Sequence, residues 1–217
     1  MPLAVPPDAR SRRDVVDAVH ALVRQRLVTG TSGNVSARLP SGNVLITPSG
    51  RDYARMRPRD LATVRLDGTV VAAPFPPSSE VPLHLAIYRE TDALAIVHTH
   101  QMHATAVGLV AEELPSVHYA IRALGGPVRV APYATFGSRE LAENVMNAMR
   151  DRRAVIMRNH GAVTTGATVR EALSNAEKLE WLAELYLRSR VAGEPSVLSL
   201  ADLASVAEAA RTAGYRL

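Results

Sequence analysis

The stretch Leu94-Ala95-Ile96-Val97-His98-Thr99-His100 limits what this chain can fold into more than any other. Its apolar residues, Ile96 and Val97 among them β-branched, predict a buried strand. Side chains two apart on a strand share a face, so His98 and His100 leave its end side by side. Two imidazoles placed this way can share a divalent cation. The same pattern also fits two ordinary polar residues closing a strand. A second stretch, Arg153-Ala154-Val155-Ile156-Met157-Arg158-Asn159-His160-Gly161, repeats the design and delivers His160 before a glycine turn. Three neutral imidazoles leave a coordination position open, which separates catalytic zinc from closed structural zinc. With Cys 0, no thiolate can complete a four-ligand structural site. The expected cofactor is Zn2+, with Mn2+ or Co2+ as ions that imidazoles also suit.

At 217 residues, 47% of them apolar, the chain is expected to form a single domain over 1–217. No stretch approaches the ~20 apolar residues that span a bilayer, so no membrane partner is expected. The opening MPLAVPPDARSRRD has prolines and charge where a secretory signal needs an apolar block. Together with the absence of cysteine, this makes a cytoplasmic location the expectation. The net charge of +4 raises the question of nucleic acid, but the arginines are scattered and aromatic residues make up only 4%. A base-stacking platform needs more, so no nucleic-acid partner is expected. The positive balance fits a phosphorylated small molecule equally well. Lys178, the only lysine, lies near Glu177 and Glu180 in a predicted helix. That is a charged setting, unlike the dry pocket of a Schiff-base lysine.

Residues 8–28 predict an amphipathic helix, ended by Thr29-Gly30. Strands are predicted around Val35–Leu39 and Val44–Thr47, and a hairpin over Leu61–Leu66 and Thr69–Ala72 about Asp67-Gly68. A helix runs from Glu80 to about Arg89, with Ser79 as its N-cap and Pro82 in its first turn. After the first histidine strand come a short helix beyond Gln101, a helix over Tyr119–Leu124 and a strand over Val128–Ala131. Further helices are predicted over Ser138–Arg150, Thr168–Arg190 and Leu200–Ala213. Hairpins followed by strands and intervening helices imply a three-layer α/β arrangement with a mixed or antiparallel sheet.

Three segments of small residues recur at element junctions: Thr31-Ser32-Gly33-Asn34, Thr47-Pro48-Ser49-Gly50 and Pro77-Ser78-Ser79-Glu80. Each is readable as a turn or cap. Together they make an anion cradle, the last at the positive end of a helix dipole. Glu80 is either a helix-dipole partner or the acid–base group beside the metal, its pKa raised by partial burial. His84, one turn later, reads as an orienting or packing residue; His103 and His20 read as structural, and His118 has no assigned role.

GTSGNVSARL, ITPSG, PSSE, IVHTHQMHATAV, HYAIRALGG, APYATFGSREL and NHGAVTTGA, in this order, resemble the class II aldolase/adducin head family. The likeness is greatest to its L-fuculose-1-phosphate aldolase branch and runs from about Val15 to the last helix. It implies an α/β/α sandwich around a mixed, mainly antiparallel sheet. It further implies zinc on His98, His100 and His160, Glu80 as acid–base group, and phosphate held at Gly33, Asn34, Ser49, Gly50, Ser78 and Ser79. Tyr119 would be a proton donor in a neighbouring subunit's site, within a C4 homotetramer with interfacial active sites, and Phe136 would wall the aldehyde. The implied reaction is reversible cleavage of a ketose 1-phosphate, L-fuculose 1-phosphate or similar, to dihydroxyacetone phosphate and an aldehyde. Related epimerases carry Asp where Glu80 stands, which favours an aldolase. The branch's second tyrosine near the C-terminus falls at Ala213, and Tyr215 lies two positions later, so aldehyde preference is open to change. The rival readings are a methylthioribulose-1-phosphate dehydratase or other phosphosugar lyase or epimerase, and a non-catalytic scaffold like the adducin head.

Overall fold

The computed structural model describes residues 8–214, so Tyr215 lies outside the described residues. Val15, Val16, Val19 and Leu22 recur at helical spacing and are buried on one face of α1 (Ala9–Arg24). The chain then builds β1 (Asn34–Arg38), β2 (Val44–Ile46), β3 (Ala62–Val64) and β4 (Val70–Ala72). Helix α2 (Val81–Glu90), β5 (Ala95–Thr99), α3 (Met102–Val110), β6 (Glu113–Leu114) and β7 (Val128–Ala131) follow. Next are α4 (Arg139–Met149), β8 (Ala154–Met157), β9 (Gly161–Gly166), α5 (Val169–Ala192) and α6 (Leu200–Thr212). Side-chain caps start the later helices: Ser138 accepts from the Leu141 amide, Thr168 from Glu171, and Ser199 from Asp202.

The strands form one nine-stranded sheet in the order β4-β3-β2-β1-β5-β9-β8-β7-β6. Only β7 and β8 pair in parallel, so the expected mixed, mainly antiparallel sheet is what forms. Strand β5 lies between β1 and β9 and is buried at every position. Its alternation sorts the layers. Ile96 joins the core beneath α2 and α4, whereas Ala95 and Val97 face the core under α1 and α5. A third cluster packs α3, α5 and α6 near β7 and β8. His98 has the parity of Ile96, so both strand histidines leave toward the α2 side.

Some elements differ from expectation. Gly161, read as a turn, opens β9, a buried strand that pairs with both β5 and β8. The two-residue β6 was also not foreseen. Tyr119–Leu124 winds as a 3-10 helix, and two short 3-10 turns stand at Tyr53–Arg55 and Pro58–Asp60. The N-cap of α2 is Glu80, not Ser79, and it makes no side-chain cap bond. Its carboxylate is engaged elsewhere. Among the described residues, no helix is long and apolar enough to cross a membrane.

Candidate active site

Three loops that the sequence separates are laced into one wall. Thr47 exchanges hydrogen bonds with β1: its amide donates to the Val35 carbonyl (3.1 Å), and its hydroxyl accepts from the Val35 amide (3.2 Å). The Ser49 amide donates to the Pro76 carbonyl (2.9 Å), and the Ser78 amide to the Thr47 carbonyl (3.1 Å). Gly33 has φ +76, and a Cβ there would lie 2.7 Å from the His98 carbonyl oxygen. Only glycine lets the loop lie so close to β5. The Tyr53 hydroxyl holds the Gly33 carbonyl from behind, and burial first of all pushes this phenol up to about 12.

The wall lines a cleft of about 320 Å³ that takes in Ser49, Gly50, Ser78 and Ser79 together with Glu80, His100 and His160. Gly33 and Asn34 also line it. Serine hydroxyls beside the start of a ten-residue helix suit an anion.

His98, His100 and His160 offer nitrogens that all lie within 4.8 Å of one another. His98 and His100 stand at the end of β5. His160 follows Asn159, whose φ of 55 is a conformation asparagine tolerates better than most side chains. Nδ1 of His98 lies 2.9 Å from the Ala162 carbonyl. A carbonyl only accepts, so Nδ1 carries a hydrogen and Nε2 is the nitrogen turned toward the cluster. That Nε2 lies 2.9 Å from Glu80 Oε2 and 3.0 Å from His100 Nε2. Burial, reinforced by His98, lowers His100 to about 3 and His160 to about 4, which keeps both rings neutral.

Glu80 corrects an expectation. Burial raises its pKa, but the charge and hydrogen bond of His98, then Asn34 and His160, outweigh that and hold the carboxyl below the usual range. It is therefore a carboxylate. Its Oε1 lies 3.5 Å from His160 Nε2, is buried and has no hydrogen-bond partner. Three imidazoles converge beside a carboxylate oxygen that has no hydrogen-bond partner. This donor set fits a divalent cation.

Residues 13–187 match the family model for the class II aldolase and adducin N-terminal domain. The chain belongs to that family. It is 36% identical to a 5-deoxy-D-ribulose 1-phosphate aldolase of Bacillus thuringiensis, over 92% of this chain and 94% of that one. It is 38% identical to an L-fuculose phosphate aldolase of Escherichia coli, over 94% and 96%. A solved L-fuculose 1-phosphate aldolase superimposes with a TM-score of 0.90 at 35% identity, over 94% of this chain and 97% of that one.

Within this class II aldolase fold, the three histidines, Glu80 and the three loop segments meet at one cleft, and Phe136 stands at its rim. Tyr119 does not line the cleft of its own chain. Its ring stacks on His118 (4.3 Å between centroids), which in turn meets Trp181 edge-on (4.9 Å). His103 bonds Glu180 at 2.8 Å, a structural tie between α3 and α5. Tyr133 and Asn159 also line the cleft and were not singled out from the sequence. Tyr133 sits in the APYATFG run, three residues before Phe136, and that adjacency is the signal that marks it.

Proposed function

We propose that this chain is a divalent-metal-dependent aldolase that reversibly cleaves a ketose 1-phosphate to dihydroxyacetone phosphate and an aldehyde. The carrying observation is the placement of Glu80 beside His98 and His160, in a cleft that His100 also lines together with serine and glycine loops. L-fuculose 1-phosphate and 5-deoxyribulose 1-phosphate are the first substrates to try, because relatives at comparable identity are named for each. The metal, Zn2+ first and Mn2+ or Co2+ as alternatives, would be held by the three imidazoles and would stabilise negative charge developing on a carbonyl oxygen.

The chain's own groups supply the rest. Gly33, Asn34, Ser49, Gly50, Ser78 and Ser79 seat the phosphate and fix the ketose end. Glu80, a carboxylate with one oxygen free of hydrogen bonds, exchanges the proton at the carbon that becomes the hydroxymethyl end of dihydroxyacetone phosphate. Phe136 at the rim walls the aldehyde portion. Tyr119 of a neighbouring subunit gives or takes the proton on the aldehyde-derived oxygen, in a C4 homotetramer. A single-domain chain over 1–217 in the cytoplasm is the setting that accords with this reading.

The test is a panel of ketose 1-phosphates with coupled detection of dihydroxyacetone phosphate, with and without chelator, followed by reloading with zinc, manganese or cobalt. Release that chelation abolishes and a metal restores is expected. A metal-loaded protein that releases none from any member would overturn the aldolase. A diketone phosphate product would instead identify a dehydratase.

A further inference from the structure

Helix α2 and strand β1 carry a matched pair of polar rows. Glu80, His84 and Tyr88 recur every fourth residue on the helix, and Asn34, Ser36 and Arg38 every second residue on the strand. Four helical residues rise about 6 Å and two strand residues about 6.6 Å, so the rows stay in step. The Tyr88 hydroxyl lies 2.8 Å from Ser36 Oγ, and Ser36 Oγ lies 2.7 Å from His84 Nδ1. His84 Nε2 then meets Asn34 Oδ1, and Asn34 Nδ2 donates to Glu80 Oε2 at 2.9 Å. Beyond Tyr88, Arg38 donates to the Tyr88 carbonyl (3.2 Å).

The hydrogens in this chain can run only one way. A carboxylate accepts, so the Asn34 amide must turn its NH2 to Glu80 and its oxygen to His84. His84 must then carry hydrogen on Nε2, leaving Nδ1 to accept from Ser36, which in turn accepts from Tyr88. His84, Ser36 and Tyr88 are all buried, among Leu83, Leu85, Ile87 and Ile96. Apolar side chains would fill this space without the desolvation cost of four polar groups. Burial lowers His84 to about 3, so the ring stays neutral and its tautomer is fixed.

We propose that His84 is a positioning residue: through Asn34 it orients Glu80, tying Oε2 to the Asn34 amide and leaving Oε1, which has no hydrogen-bond partner, as the oxygen that carries the proton. The role extends Asn34 beyond the phosphate cradle, since one amide hydrogen and its oxygen are already committed inward. It rests on the aldolase reading given above.

The test compares His84→Met, which keeps bulk and loses the donor, with His84→Gln, whose amide can still donate to Asn34. His84→Met is expected to lower kcat about 10- to 100-fold with KM and bound metal unchanged, and His84→Gln to regain most of the loss. Wild-type kcat in His84→Met, or equal impairment of both variants, overturns the proposal. Independently, nitrogen-15 spectra of the unaltered protein should show the His84 ring protonated at Nε2 alone between pH 5.5 and 8.5, roughly one unit or more either side of an ordinary histidine pKa. A ring protonated at Nδ1 overturns the proposal even if neither variant folds. Should the wild type cleave no ketose phosphate, the aldolase reading fails while the spectra still decide the tautomer.

Discussion

Glu80 and His84 sit one helical turn apart in the same apolar layer, and burial alone would neutralise both. The carboxylate stays charged because His98, Asn34 and His160 outweigh its burial, whereas for the imidazole burial outweighs the nearby Glu80 charge and holds it neutral. Each has a measurable consequence. Glu80→Gln keeps the shape and removes the base, so kcat should fall about 10²- to 10⁴-fold while the protein still retains metal on gel filtration. His98→Ala should lose the metal itself, read by metal analysis of the purified variant, since an open three-histidine site has no spare ligand. For His84 the pKa falls from 6.5 unfolded to about 3 folded. Below pH 6.5 the unfolded chain therefore binds the extra proton, and stability rises with pH across the interval from about 3 to 6.5. The unfolding free energy of metal-free protein, read by urea denaturation, should drop as pH falls from 7 to 5, by up to about 1.4 kcal/mol per pH unit for this one group. His84→Met should flatten that slope.

Elements decide how these side chains reach one another, and here the sequence was readable unevenly. The run Leu94–His100 disclosed β5 and its histidine pair because period-two geometry needs only the chain itself. The junction segments disclosed the cleft wall for a similar reason, since serine, glycine and asparagine cluster where elements meet. Strand β9 was hidden. Gly161 looks like a turn residue, yet a Cβ there would drive into the Thr99 carbonyl oxygen, so the glycine serves close strand approach. Tyr88 and Ser36 were hidden for another reason: their meeting depends on which strand lies under α2, a tertiary fact that no local pattern carries. Replacing Gly161 by Ala tests this account of β9. It should destabilise the fold by about 1–3 kcal/mol, read by urea denaturation, and loosen metal retention by displacing His160.

At the scale of the whole molecule, the sheet brings His98, His100 and His160 together at its middle and leaves several large apolar side chains outside. Tyr119 (45% exposed), Trp181 (46%) and Met102 (75%) stand open to solvent, and Tyr119 is absent from its own cleft. The proposed tetramer, with Tyr119 serving a neighbour, predicts complementation. Glu80→Gln and Tyr119→Phe chains, each poorly active alone, should regain part of the wild-type rate when refolded together, because mixed rings contain some intact junctions. A mixture no faster than the sum of its parts would place Tyr119 outside the reaction. Where Gly161 lies on the β5 backbone there is no room for one more methyl, while Tyr133 and Phe136, which line the cleft, are 59% and 65% exposed. On the aldolase reading proposed above, substitutions at positions 133 and 136 are expected to change which aldehyde is accepted while leaving the three histidines and Glu80 in place.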